Sequence, residues 1–393
     1  MSKKTIRDIE LKGKKVLMRV DFNVPLNDKR EITDDTRIRA AMPSIKYAID
    51  NGARVILMSH LGRPKGEVKK ELSLKPVAEN LSGKLQKNVL MAEDCIGDEV
   101  RKTIGAMSPG DVLLLENLRF HKEETKNDEA FAKELASLGD VFVSDAFGTC
   151  HRAHASTEGV TRYIPSVAGF LVEKEVRYFD KLLKEPEKPF CLILGGAKVS
   201  DKIAVIENML PKIDYLLIGG AMAYTFLKTR MKGVGKSKVE EDKLDIANRI
   251  FDMAREKKVS IFLPSDHIVA NSISDRAKVR VVKEHIPDEW IGLDIGPATV
   301  KKYLSILKEC KTICWNGPVG YFEIKPFMKG TAAIAKFISK LKATTVIGGG
   351  DTAAAINKLG LGKRMSHIST GGGASLEYLE GKDLPGIAAL QDA

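Results

Sequence analysis

The sequence predicts an α/β protein of two lobes, each a mostly parallel, helix-covered sheet of Rossmann-like type, joined by one charged helix. Three observations lead there. At 393 residues the chain is longer than one hydrophobic core usually serves. In its first half, apolar β-branched runs end at polar residues and are followed by helical patterns, the signature of βαβ units. After Pro189 the same theme starts again.

In order, Lys15–Val20, Arg54–Met58, Asp111–Leu115 and Val141–Val143 read as buried strands, with helical stretches at Thr36–Asn51, Leu74–Leu85 and Asp128–Ser137. The second series of strands is Phe190–Leu194, Tyr215–Ile218, Ile261–Leu263, Thr312–Trp315 and Thr344–Ile347. Its helices are expected to begin near Val199, Ala221, Lys243, Pro297, Gly330 and Asp351. Between the two series, Phe170–Lys184 carries Glu173/Arg177 and Asp180/Lys184 at i,i+4 spacing and is closed by Glu185-Pro186-Glu187-Lys188-Pro189, which marks a linking helix. The tail after Gly381 contains Pro385 and Gly386 and is too short to be a domain, so it must pack on something already folded.

Composition narrows the function classes. Hydrophobic content of 44% with 29% charge is ordinary for a globular protein, and no run of about 18 apolar residues is present to span a bilayer. Met1-Ser2-Lys3-Lys4-Thr5 enters a strand-like pattern with no apolar signal core, so a cytoplasmic address is expected. Five scattered cysteines without a CxxC pair point to free thiols. A net charge of +11 attracts anions, and the placement of the cations decides which.

In open parallel sheets, ligands bind beyond the carboxyl ends of the strands. The first-half strands deliver Asp21 and Asn23, then His60 and Arg63, then Arg119, then His151, Arg152 and His154 to those ends. Arg37 opens the helix after Asp34-Asp35-Thr36, where the helix dipole favours anions. Guanidinium forks suit carboxylate and phosphate oxygens, and Asp21 and Asn23 suit a hydroxyl, so the ligand implied is small, anionic and hydroxylated. Cys150-His151-Arg152-Ala153-His154 is set aside as a metal site, because an arginine lies inside it and no second ligand pair follows.

The second half supplies glycine turns. Gly195-Gly196-Ala197-Lys198 follows a strand and is expected to open a helix with its amides toward phosphate, Lys198 and Lys202 sharing one face. Gly219-Gly220 is a second such turn, equally open to a packing role and to close approach of a flat base. Gly348-Gly349-Gly350-Asp351-Thr352 offers a carboxylate and a hydroxyl at a helix start, with Asp351 a Mg²⁺ ligand candidate. Ser369-Thr370-Gly371-Gly372-Gly373 repeats the arrangement with bare amides. By contrast, Gly233-Val234-Gly235-Lys236-Ser237 only imitates a P-loop: Arg230 occupies the required first glycine position. The dinucleotide GxGxxG is missing after the first strand, which argues against a nicotinamide dehydrogenase. Without interleaved aromatics among the placed cations, a nucleic-acid-binding role is disfavoured.

Taken together and in this order, Arg19-Val20-Asp21-Phe22-Asn23-Val24-Pro25, Ser59-His60-Leu61-Gly62-Arg63-Pro64, Glu116-Asn117-Leu118-Arg119-Phe120, His151-Arg152-Ala153-His154, Gly195–Lys198, Trp315-Asn316-Gly317-Pro318 and Gly349-Gly350-Asp351 resemble the phosphoglycerate kinase family over essentially the whole chain. The resemblance implies reversible, Mg²⁺-dependent transfer from 1,3-bisphosphoglycerate to ADP, giving 3-phosphoglycerate and ATP in glycolysis. It implies a phosphoglycerate site of Asp21, Asn23, Arg37, His60, Arg63, Arg119, His151 and Arg152, with His154 beside it. Gly196, Lys198, Lys202, Gly219, Gly220, Asn316, Glu323, Gly349, Gly350, Asp351 and Thr352 carry over as nucleotide contacts, Glu323 toward the ribose and Asp351 toward the metal. Residues 1–169 would be the phosphoglycerate domain, 170–185 the interdomain helix, 186–372 the nucleotide domain, and 373–393 a segment returning to the first. The family pattern has a further glycine at Ala221 and commonly alanine at Cys150. On this reading Arg37, Lys198, Lys202, Gly371 and Gly372 carry the catalysis, and the enzyme is a monomer that binds neither nucleic acid nor membrane.

Overall fold

The computed structural model describes residues 3–393. Its contacts divide the chain into two units: one ends at Arg177 and takes back Asp383–Ala393, and the other is Tyr178–Lys382. The first division falls inside the helix Phe170–Lys184, and the return to the first unit begins at Asp383 rather than at 373. The helix Gly373–Leu379 belongs to the second unit.

The first unit is built on a six-stranded sheet of β1 (Lys15–Val20), β2 (Arg54–Met58), β3 (Val89–Met91), β4 (Val112–Leu114), β5 (Val141–Asp145) and β6 (Ser166–Ala168). Their order is β3-β4-β2-β1-β5-β6 and every pairing is parallel. A parallel sheet covered on both faces needs strands that are apolar throughout, and all of Val16–Val20 and Val55–Met58 are buried. The helix Thr36–Asp50 turns Ile38, Ala41, Ile45 and Ala48 inward at helical spacing. Truncating fully buried Ile45 to alanine would cost about 2–5 kcal/mol.

The tail finds its place on this unit. Lys4 N donates to Gln391 O at 2.9 Å, Gln391 N to Ser166 O at 3.0 Å and Gly386 N to Cys150 O at 2.9 Å. The bond to Ser166 O satisfies backbone at the β6 edge that would otherwise stand open.

The second unit repeats the plan with β7 (Phe190–Leu194), β8 (Tyr215–Ile218), β9 (Ser260–Phe262), β13 (Thr312–Asn316), β14 (Thr344–Gly348) and β15 (His367–Ile368), in the order β15-β14-β13-β7-β8-β9, again all parallel. A three-stranded antiparallel sheet of β10 (Asp266–Ala270), β11 (Val279–Lys283) and β12 (Ile291–Ile295), ordered β11-β10-β12, is inserted before β13. Sequence reading placed no strand there: β11 reads Val279-Arg280-Val281-Val282-Lys283 but is largely exposed, and polar Asp266, His267 and Asp294 interrupt β10 and β12. The strands β3, β6 and β15 escaped because they are only two or three residues long.

In both sheets the order of connection reverses at the first strand of the unit, β1 in one and β7 in the other. Loops leaving adjacent strands there run to opposite sides and open a crevice at the carboxyl ends. No helix of the described residues is long and apolar enough to cross a membrane.

Candidate active site

In the first unit the predicted residues converge beyond β1, β2, β4 and β5. Asp21, only 7% exposed, accepts from Arg37 Nη1 at 2.6 Å and from Asn23 N at 3.2 Å. Asn23 Oδ1 accepts from Gly62 N at 2.9 Å, and Arg119 Nη1 donates to Gly62 O at 2.9 Å. The turn after β2 is therefore clamped from both neighbouring strand ends. His60 is buried and holds its Nδ1 at 3.0 Å from Arg19 Nη2. A guanidinium has only donors, so Nδ1 must accept and the ring proton sits on Nε2.

Electrostatics agree with that tautomer. Burial first, then the charges of Arg19, Arg119 and Arg37, hold His60 well below the ordinary imidazole range. His154 is lowered to about 4 by burial and by Arg119, Arg19 and Arg152. Its Nδ1 lies 3.7 Å from Glu124 Oε1, but a neutral imidazole makes no ion pair. Burial brings Arg119 down to about 10, with Arg19 and Arg152 adding to the effect. With His60 and His154 held toward the neutral form, the arginines crowd positive charge around them and repel one another, which a bound anion would relieve.

What holds these like charges together lies beneath them. Arg19 is 1% exposed; its Nε donates to Ser156 Oγ at 2.9 Å and its Nη1 to Val20 O. Ser156 in turn donates its N at 3.0 Å and its Oγ at 2.6 Å to the carboxylate of Glu124, which is fully buried. A chain Glu124–Ser156–Arg19–His60 thus fixes the imidazole from below. Sequence reading placed neither Glu124, Ser156 nor Arg19 in the site. A signal existed for Arg19, a charge within the otherwise apolar run Val16–Val20; none marked Glu124, which looks like any acid of the run Lys122–Lys126.

Arg63 and Arg152 are exposed and, with Arg119, line a cleft of about 430 Å³ that Lys65, Lys122 and Lys126 also border. Arg152 Nε donates to His151 Nε2 at 3.1 Å, so His151 orients that guanidinium.

The second unit presents backbone where the first presents side chains. Gly195 N donates to Asn316 O at 3.0 Å and Gly196 N to Pro318 O at 3.0 Å. A Cβ at Gly195 would fall 2.1 Å from Pro318 O, so only glycine allows the loops after β7 and β13 to touch. Gly220 meets the same loop: its φ is +65° and a Cβ would lie 2.5 Å from Gly196 N. Gly219 N donates to Leu194 O at 2.8 Å.

Two expectations change here. The helix after the Gly195–Lys198 turn begins at Ile203, not near Val199, and the two lysines part: Lys202 is 9% exposed while Lys198 is exposed. The amides of Val199 and Ser200 are taken by Glu240, which also accepts from Ser200 Oγ at 2.6 Å. Burial pushes the Glu240 carboxyl up, but these bonds prevail and hold it below its usual range.

Lys202 Nζ donates to Asn316 Oδ1 at 2.6 Å, and Asn316 Nδ2 is buried with no partner of its own. Burial lowers the Lys202 pKa, against the pull of Asp201, Asp351 and Glu380. Asn316 packs beside Gly348 and Gly349, at the start of the helix Gly350–Lys358. In that helix Asp351 is exposed, whereas Thr352 is buried and its Oγ1 accepts from Gly317 N at 2.7 Å, which makes it a brace for the loop after β13. Beyond β15, Gly371 N donates to Ser369 Oγ at 3.1 Å, while the Gly372 and Gly373 amides find no acceptor among the described residues. Glu323 stands exposed in the turn after β13.

Compared with known proteins, residues 6–382 match the family model described as PGK, phosphoglycerate kinase. The chain belongs to the phosphoglycerate kinase family. Proteins named phosphoglycerate kinase from Pseudothermotoga lettingae and Moorella thermoacetica are 56% and 54% identical to it, over 100% of this chain and 99% and 100% of their own lengths. Among solved structures, phosphoglycerate kinase from Coxiella burnetii is similar with a TM-score of 0.89 at 43% identity, and that from Pyrococcus horikoshii OT3 with 0.87 at 33%, each over 98% of both chains. The phosphoglycerate kinase reaction is the glycolytic transfer of a phosphoryl group between 1,3-bisphosphoglycerate and ADP, and this chain is a phosphotransferase of that kind. A glycerate phosphate and a nucleotide are its substrates.

Proposed function

We propose that the two substrates divide between the units: the arginine rim of the first holds the phosphoglycerate and the glycine loops of the second hold the nucleotide. The observation that carries this assignment is the contrast at the strand ends. Arg37, Arg63, Arg119 and Arg152, with neutral His60 offering Nε2–H, suit a phosphate, a carboxylate and a hydroxyl; His151 orients Arg152 and Asp21 and Asn23 fix the turn. The loops of Gly196, Gly219, Gly220, Gly349 and Gly350 bring bare backbone to within reach of a phosphate chain or a base. Glu323 is placed to meet a ribose hydroxyl.

In the ATP-consuming direction the nucleophile is a carboxylate, ionised at neutral pH, so no general base is required. Catalysis then reduces to alignment and charge neutralisation. Lys202, with Asn316 Nδ2–H beside it and the Gly372 amide unspent, holds the equatorial oxygens of the transferring group. Arg37 keeps one Nη on Asp21 and turns the rest of its fork to the acceptor carboxylate, and Lys198 and the Gly371 turn assist.

For Mg²⁺ the residues fit: Asp351 is an exposed carboxylate with no hydrogen-bond or ion-pair partner among the described residues, and Mg²⁺ is commonly held by one or two carboxylates plus substrate phosphates. When bound, the ion neutralises phosphate charge on the nucleotide. Thr352 orients the helix that carries Asp351.

A cytoplasmic monomer is the form this reading implies; sedimentation at twice the chain mass would contradict the second part. The cleft lining contains no Phe, Tyr or Trp on which bases would stack, which favours a small anion over nucleic acid. Formation of ATP from 1,3-bisphosphoglycerate and ADP, dependent on Mg²⁺, tests the assignment; Lys202→Ala with unimpaired turnover would overturn it.

A further inference from the structure

Asp94 and Cys95 follow β3, and His121 follows the Leu118–Phe120 turn; all three lie in the first unit. One carboxylate oxygen, the Cys95 thiol sulfur and one His121 ring nitrogen lie within 4.8 Å of one another. Among the described residues this is the one place where three His, Cys, Asp or Glu side chains meet so closely. We propose that Asp94, Cys95 and His121 form a binding site for a borderline-soft divalent cation of the Zn²⁺ or Co²⁺ class, separate from the Mg²⁺ that serves the reaction.

The donor set selects the ion. Thiolate, imidazole and carboxylate together suit Zn²⁺ and Co²⁺, with water as a fourth ligand; Mg²⁺ takes oxygen donors. Preorganisation is visible on each ligand. Asp94 Oδ1 accepts from Cys95 N at 2.6 Å and is hydrogen-bonded to His121 Nε2 at 2.6 Å, so the two ligand atoms already meet across a proton that an ion would displace. The imidazole is held against Phe131, with ring centroids 5.3 Å apart. Cys95 is fully buried, whereas the Asp94 side chain is 50% exposed and His121 borders the 430 Å³ cleft, so an ion has a path in and room for water. Glu123 acts electrostatically on His121, and Glu124 on Cys95. With Asp94 they offset Lys122 and Lys126 on the cleft wall. Binding releases the thiol proton to solvent and displaces the Nε2 proton, which leaves to solvent from an imidazolium and moves to Nδ1 in a neutral ring. An ion there would tie the turn carrying Arg119 to the loop after β3, whose residues are 27 positions apart at Asp94 and His121.

Titration of the full chain with Co²⁺, read by absorption, tests the site. The expected result is saturation at one ion per chain with a near-ultraviolet thiolate-to-Co²⁺ charge-transfer band that excess Mg²⁺ does not displace. The band should vanish in Cys95→Ser. Loss of a direct ligand in His121→Asn or Asp94→Asn should weaken binding by more than about 10-fold, since outer-shell partners alone are worth that much; these two more exposed positions keep the test valid if Cys95→Ser does not fold. No band in the parent chain, a band that survives Cys95→Ser, or unchanged affinity in both other variants would overturn the site.

Discussion

The two units use one architecture in opposite ways. In the proposed division, the first would meet its ligand with charged side chains, which Asp21, Glu124 and the Gly62 turn cross-brace. The second would meet its ligand with main chain, opened by glycines and punctuated by Lys202, its one buried lysine or arginine among the described residues. A rim of arginines needs counter-charges and rigid tautomers beneath it, because the cations repel; a rim of amides needs only the absence of Cβ atoms. The first unit is therefore expected to be vulnerable to changes of charge, and the second to changes of volume.

The largest effects should come from the groups proposed to hold transferring oxygens. Arg37→Ala and Lys202→Ala are each expected to lower kcat by a factor on the order of 10² or more, with smaller changes in KM. Steady-state rates with both substrates saturating check this, and near-normal turnover in either removes that residue from the chemistry. Next comes volume in the second unit. Gly195→Ala drives a Cβ to 2.1 Å from Pro318 O, an atom of the backbone that cannot swing aside, and should cost about 1–3 kcal/mol of stability and raise the nucleotide KM. A denaturant midpoint equal to the parent's would show the loops to be looser than described.

Charge in the first unit is probed by Glu124→Gln, which keeps the shape but removes the counter-charge under Arg19. A hydrogen bond to a charged group is worth about 1.5–3 kcal/mol, so the phosphoglycerate KM should rise about tenfold while the nucleotide KM stays unchanged. A His60 ring protonated at Nδ1 in the parent chain, seen by nitrogen NMR, would contradict the chain of bonds itself.

Of these residues only some were legible in the sequence. Arg119, His60 and the glycine turns announce themselves by standing at strand ends and Arg37 by opening a helix, because alternation of apolar runs with polar ends is written locally. Glu124 and Glu240 do not, since their meaning comes from segments they meet across 32 and 41 residues. Lys198 and Lys202 look alike at i,i+4 spacing, and only the late start of the helix at Ile203 separates the buried one from the exposed one. Likewise the inserted sheet β10–β12 is hard to read because Asp266, His267 and Asp294 interrupt its two buried strands, whereas the longer strands of the six-stranded sheets are written in unbroken apolar runs.

Smaller effects concern protonation. His154 titrates near 4 in the folded chain against 6.5 in the unfolded one, so the unfolded state binds more protons between those values. Its contribution to stability is complete above 6.5 and is lost as pH falls toward 4, by at most about 3 kcal/mol. Asp145, raised by burial to about 7, runs the other way, gaining stability as pH falls from there toward 3.8. A proton NMR titration should find the His154 midpoint near 4; a midpoint above 6 would place charge on the rim. The smallest response is expected at Cys150. Its thiol is fully buried and pushed up to about 12, chiefly by burial, so native protein should resist alkylation there at neutral pH. Stoichiometric labelling of Cys150 before unfolding would contradict that.

The division of substrates between the units is tested most directly by calorimetric titration of the full-length chain with 3-phosphoglycerate and, separately, with MgATP, comparing Arg119→Gln and Asp351→Asn with the parent. A double dissociation is expected: Arg119→Gln loses phosphoglycerate affinity and keeps that for MgATP, and Asp351→Asn does the reverse. Loss of both ligands in one variant, or the two losses exchanged, would contradict it.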